Sequence, residues 1–110
     1  MGTAGFLGAF EQMVLLATLQ LGEEGYATAV RRELARARGK DVSRGALYRT
    51  FDRLGEKGYL EWTPEEAVPD RGGHPRRRFK VTEAGIAALR ASRSALVTLS
   101  HGLHEVLGEP

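Results

Sequence analysis

Five cationic side chains stand between Arg71 and Lys80 (Arg71, Arg76, Arg77, Arg78 and Lys80) with no acid among them, and three more arginines, Arg44, Arg49 and Arg53, flank Tyr48 earlier in the chain. A guanidinium presents a planar fork of donors that fits a phosphate or the O6 and N7 atoms of guanine, and a good bidentate base contact discriminates by roughly 1–3 kcal/mol. The net charge of +2 is too small to imply a nucleic-acid partner. Local clustering of cations is the more informative sign, because a phosphate-binding surface needs charge density in one place. Glu23, Glu24, Glu65 and Glu66 lie in other stretches of the chain.

These cations need elements to hold them. Asp41-Val42-Ser43 opens a helix in which Ser43 is the expected N-cap, its hydroxyl accepting an unpaired first-turn amide. Leu47, Phe51 and Leu54 mark the inward face of that helix, and Arg44, Tyr48, Arg49 and Arg53 the opposite one. Gly45 keeps the first turn slim and Gly58 closes the helix. Tyr59 to Thr63 has the alternation of a strand, Pro64 ends it, and Glu65 to Pro75 reads as a loop because Pro69, Asp70, Gly72, Gly73 and Pro75 fall there. Arg76 to Val81 returns as the second strand. Side chains alternate along a strand, so Arg77 faces away from Arg76 and Arg78. A plain reading of these arginines is a charged edge that blocks edge-to-edge pairing; the glycine turn and the preceding helix favour contact with DNA, with Gly73 and His74 at the tip of the hairpin.

Around this unit lie three further helical segments. Phe10, Val14, Ala17 and Leu21 form one stripe on a helix from about Leu7 to Leu21, stopped by Gly22. A second helix covers Tyr26 to Arg38, with Tyr26, Val30 and Leu34 inward and Arg31, Arg32, Arg36 and Arg38 outward, and Gly39 ends it. Thr82 caps a last helix running from Glu83 to about Leu107, in which Leu89, Leu96 and Leu103 recur every seven residues, and Ser92, Leu99 and Val106 three positions later. So long a seam points to a second copy of the chain, joined through Phe10, Val14, Leu89, Leu96, Leu99, Leu103 and Val106; packing of the seam on the first helix is the simpler alternative. Gly102 weakens the last turns by about 1 kcal/mol relative to alanine. The expected fold is mainly α with a small β-hairpin, a winged helix-turn-helix over residues 1–82 with a C-terminal dimerisation helix over 83–110, together one structural unit.

Composition excludes several classes. A chain of 110 residues, 42% apolar and 27% charged, has room for one modest core of ordinary globular type. It contains no cysteine, which rules out disulfides and thiolate metal sites. The apolar run Met13 to Leu19 is too short to span a bilayer, and the N-terminus lacks a secretory layout, so a cytoplasmic protein is expected. Ser43, Ser92, His74, Asp41 and Asp52 stand in no motif that fixes a nucleophile, and Gly72-Gly73 sits between strands rather than before a helix; no enzyme and no cofactor are expected. His101 and His104, with Glu105, have helical i, i+3 spacing but read as surface residues rather than metal ligands. Trp62 reads as core.

The ordered set Phe10-Glu11-Gln12-Met13-Val14-Leu15-Leu16, Leu21-Gly22, Gly25-Tyr26, Gly45-Ala46-Leu47-Tyr48, Asp52-Arg53-Leu54, Lys57-Gly58, Gly72-Gly73 and Thr82-Glu83-Ala84-Gly85 resembles the PadR family of bacterial transcriptional regulators over roughly Leu7 to Leu89. The single C-terminal helix is similar to the short subgroup of that family, and His74-Pro75 departs from the basic residues more usual after the paired glycines. The resemblance implies a homodimeric regulator of double-stranded DNA, usually a repressor released by a small aromatic or lipophilic molecule, and it implies a phosphate contact for Tyr48. On that reading Ser43, Arg44, Gly45, Tyr48, Arg49, Arg53, Gly73, His74, Arg76, Arg77 and Arg78 meet DNA. A winged-helix module that binds protein instead of DNA is the competing expectation.

Overall fold

The computed structural model describes residues 6–65 and 76–108. In chain order the elements are α1 (Ala9–Leu21), a 3-10 turn (Gly22–Glu24), α2 (Ala27–Arg38), α3 (Arg44–Glu56), β1 (Leu60–Glu65), β2 (Arg76–Val81), α4 (Glu83–Ser100) and α5 (His104–Leu107). The fold is mainly helical with one antiparallel hairpin, as the residue pattern predicts.

Val14 and Leu15 from α1, Val30 and Leu34 from α2, Leu47, Phe51 and Leu54 from α3, and Phe79 from β2 form the centre of the core. Phe51 and Phe79 stack at 3.9 Å between ring centroids and 18° between planes, which seats the hairpin directly on α3. Leu60 pairs with Val81 and Glu65 with Arg76 at the two ends of the ladder. The strand β1 thus runs through Pro64 to Glu65, two residues past its expected end. A two-stranded ribbon leaves half of its backbone amides facing away from the partner, so a proline is tolerated there.

The ribbon is held from its other side as well. The Phe79 amide donates to the Gly25 carbonyl at 2.8 Å, and Tyr26 forms an isolated bridge with Arg78. A Cβ on Gly25 would lie 2.9 Å from the Phe79 carbonyl oxygen, so the close approach requires glycine. The start of α2 is therefore a short third rung beside β2, and Tyr26 is the N-cap of α2 rather than its first residue. Arg31 is exposed, as the outward reading has it, and its Nε donates to the Val42 carbonyl at 2.8 Å, tying α2 to the segment before α3.

Three expectations about the C-terminal seam are corrected. The helix α4 stops at Ser100, where His101 turns extended (φ −57°, ψ 131°) and Gly102 takes φ +80°, and a separate turn of helix follows. The seven-residue repeat therefore crosses a helix end, and His101 and His104 do not share one helix. Leu89 and Ser92 belong to the protomer's own core, where the Leu7 amide donates to Ser92 Oγ at 2.9 Å. Val14 is likewise fully buried within one chain, and neither it nor Leu89 is available to a partner. Leu96, Leu99, Leu103 and Val106 remain exposed, Leu99 at 76% and Val106 at 80%. Phe10 is half-buried, with the Arg38 guanidinium 5.5 Å from its ring centroid.

Glu11 joins α1 to the end of α3. Its buried carboxylate accepts from Lys57 Nζ at 2.8 Å and from the Gly8 amide at 3.0 Å, with Arg53 Nη1 at 4.0 Å. Burial alone would raise the Glu11 pKa, but the Lys57 hydrogen bond, the Gly8 amide and the charges of Lys57 and Arg53 outweigh it and hold the carboxyl below its ordinary range. A lowered folded pKa adds stability above the unfolded value, about 4.3, and that addition disappears as pH falls through the folded value. Glu11→Gln should accordingly cost about 1–2 kcal/mol at pH 7, where Lys57 stays partly solvated, and much less at pH 3; urea denaturation at the two pH values measures the difference.

Candidate nucleic-acid interface

The helix α3 begins as its sequence dictates. Ser43 lies in an extended conformation and its Oγ accepts from the Ala46 amide at 3.0 Å. Arg44, Gly45, Tyr48 and Arg49 occupy the first two turns. The Arg49 guanidinium folds back along the helix, 3.2 Å from where a Gly45 Cβ would stand, so the bare glycine makes room for it. Arg44 lies 5.5 Å from the Tyr48 ring centroid, and Tyr48 meets Phe51 edge-on at 5.5 Å and 87°. The tyrosine ring is thus supported from beneath by core and flanked by a cation.

Beyond these turns acids join the bases. Asp52 and Glu56 line a groove between α3 and the ribbon together with Trp62 and Arg77. Arg53 is directed toward Glu11, nine residues from Arg44 and on the other side of the helix. The structure brings Arg44 and Tyr48 together, whereas Arg49 lies well round the helix from Arg44, one turn before Arg53.

On the ribbon, Arg77 packs over the Trp62 ring at 4.4 Å from its centroid, and Trp62 is 47% exposed rather than core. Trp62 is the cross-strand partner of Phe79, but Phe51 covers Phe79 and leaves the Trp62 ring half exposed beneath Arg77. Arg76 and Arg78 occupy the opposite face, as strand alternation requires. There the expectation of an uncompensated cation cluster is corrected: Glu65 Oε1 is 3.8 Å from Arg76 Nε and Glu65 Oε2 is 3.5 Å from Arg78 Nε. The acid lies outside the basic segment in sequence and comes opposite it through the hairpin. Gly73 and His74, with Arg71, lie outside the described residues.

The recess between α2, α3 and the ribbon collects these groups. Arg44 and Tyr48 from α3, Arg32 and Tyr26 from α2 and its cap, and Arg76 and Arg77 from β2 line one open concavity of about 950 Å³. Arg32 and Tyr26 were not among the residues singled out for this surface from sequence. Their signal is the placement of α2 beside β2, which becomes visible only when Gly25 is recognised as a close-approach position.

The profile of the transcriptional regulator PadR-like family matches residues 15–91. This chain belongs to that family. A PadR-like profile over this range takes in α2, α3, the ribbon and the first half of α4, and stops before Leu96. Transcriptional regulator Rv3488 of Mycobacterium tuberculosis is 45% identical over 76 residues, which span 69% of this chain and 64% of that protein. The match therefore covers a little under two thirds of the length of this curated relative. Among solved structures, the PadR-like transcription factor from Bacteroides fragilis is similar at a TM-score of 0.70 and 26% identity, over 88% of each chain. F93 from STIV, a winged-helix DNA-binding protein, superposes at a TM-score of 0.67 with 19% identity, covering 89% of this chain and 98% of its own, and shares the fold. The hairpin of the PadR-like chain is thus the wing of a winged helix. Among the described residues no helix is long and apolar enough to cross a membrane.

Proposed function

We propose that this PadR-like regulator is a cytoplasmic, homodimeric DNA-binding repressor that acts without a cofactor, placing the N-terminal half of α3 in the major groove and the wing along the backbone or in the adjacent minor groove. The observation that carries this reading is the shared recess: Arg44, Tyr48, Arg76 and Arg77 come from two elements and line one concavity on one side of the molecule. Helix termini of this kind reach base edges with their first residues. Arg44 and Arg49 are assigned to bases, Tyr48 and Ser43 to phosphates, and Gly45 to the close approach of the helix. The relative named a winged-helix DNA-binding protein supports the partner class.

The exposed Leu96, Leu99, Leu103 and Val106 supply an apolar surface for a second copy, with Phe10 at its margin. Two copies set α3 helices about 34 Å apart on an inverted repeat, and occupancy of a promoter represses it. A small aromatic or lipophilic effector between protomers releases DNA by preferring a different spacing.

Fluorescence anisotropy on duplexes selected from a random pool, at two salt concentrations, tests the reading. A site with two-fold symmetry and binding that weakens steeply with salt is expected. Arg49→Ala should weaken binding to the selected site by roughly 10-fold or more while sedimentation still shows a dimer. Failure to enrich any sequence overturns the DNA-reader assignment in favour of a protein-binding module, and a monomer at micromolar concentration overturns the two-fold arrangement.

A further inference from the structure

Glu65 gathers donors from two elements at the edge of the recess. The Tyr26 hydroxyl donates to both carboxylate oxygens, at 3.0 and 3.1 Å. The guanidiniums of Arg76 and Arg78 approach the same carboxylate at 3.8 and 3.5 Å, and Arg76 also stacks over the Tyr26 ring at 3.5 Å from its centroid. One negative charge thus faces two positive ones and a hydroxyl. The arginines stand farther off than the roughly 2.7–2.9 Å of a close charge-assisted hydrogen bond, so Glu65 occupies the cluster without satisfying it.

A ladder pair between Glu65 and Arg76 would be enough to keep the ribbon in register. That role requires neither the Tyr26 hydroxyl nor Arg78. A carboxylate and a phosphodiester accept from the same donors, and Tyr26 and Arg76 line the recess that also holds Arg44 and Tyr48. We propose that Tyr26, Arg76 and Arg78 form a binding site for one phosphodiester of the DNA backbone, and that Glu65 is its internal occupant in the unbound protein. The inference rests on the DNA-reader assignment above. DNA binding then includes expulsion of the Glu65 side chain from the site, and the wing's affinity is held down by an acid of the chain's own.

The test uses the full chain and the selected duplex. Glu65→Gln should bind on the order of tenfold more tightly, with log K against log salt keeping nearly the wild-type slope, because the same phosphate is contacted in both complexes. Tyr26→Phe, which keeps the ring under Arg76, should weaken binding more in the Glu65→Gln background than in the wild type, because only there does the hydroxyl serve phosphate alone. A pure register role gives the opposite sign: Glu65→Gln loosens the ribbon and binds equally or less well. If Glu65→Gln fails to fold, Glu65→Asp withdraws the carboxylate by one methylene and is read in the same way. Equal or weaker binding by the Glu65 variants, with duplex binding still dependent on Arg49, overturns this inference and leaves the DNA-reader assignment standing. Absence of duplex binding by every variant overturns both, whereas binding that appears only when Glu65 is changed supports the internal occupant.

Discussion

Gly85→Ala should destabilise the protein by about 3 kcal/mol and lower its Tm by more than ~10 °C, although alanine is the better helix former by about 1 kcal/mol. Gly85 lies in the first turn of α4, where its amide donates to the capping Thr82 Oγ1 at 3.0 Å. A Cβ there would overlap the Tyr59 carbonyl oxygen and stand 2.9 Å from Val81 Cγ1. The Tyr59 carbonyl cannot step aside without loss, because it accepts from the Thr82 amide at 3.0 Å, while Thr82 Oγ1 donates to the Gly58 carbonyl at 2.6 Å. Backbone meets backbone at this corner, so relaxation displaces either α4 or the beginning of β1. The sign is the diagnostic part: urea denaturation that shows Gly85→Ala to be more stable than the wild type would mean that helix propensity decides and the close approach does not.

Phe79→Ala should remove about 3–5 kcal/mol, the range for truncating a buried aromatic side chain. Phe79 is fully buried, stacks on Phe51, and stands at the one strand position whose amide also reaches Gly25. The substitution leaves the backbone bonds in place and opens a void between α3 and the ribbon. Denaturant midpoints give the loss, and Phe79→Leu, which refills most of the void, should recover more than half of it. Equal losses for both variants would show that ring stacking, and not filled volume, holds the ribbon to α3.

Much of this fold was legible because its signals are local. Ser43 and Thr82 were read as caps and both accept the amide three residues on; Leu47, Phe51 and Leu54 were read as inward and are buried. The order of elements followed from such pieces. What sequence did not disclose depends on contacts between distant segments. The pairing of Glu65 with Arg76 and Arg78 requires the register of the hairpin, which the loop composition leaves open. Residue type places Trp62 in the core, yet α3 stacks Phe51 on its cross-strand partner Phe79 and leaves the Trp62 ring itself half exposed. Leu89 and Leu99 look alike in the seven-residue repeat, but α1 covers the first and leaves the second exposed. A repeat records periodicity, and which neighbour covers each position is decided by the remainder of the chain.

The hydrogen bond from Phe79 to Gly25, together with the bridge between Tyr26 and Arg78, fastens β2 to the start of α2 on one side while β1 and Phe51 hold it on the other. Near its root the wing is therefore not a flap that swings on its own hinge. Its cations and the N-terminal half of α3, the half proposed to read DNA, are carried on one block, so their separation is fixed before any ligand arrives. Such preorganisation removes the entropic penalty of aligning two contact zones in succession, since docking of the first already orients the second.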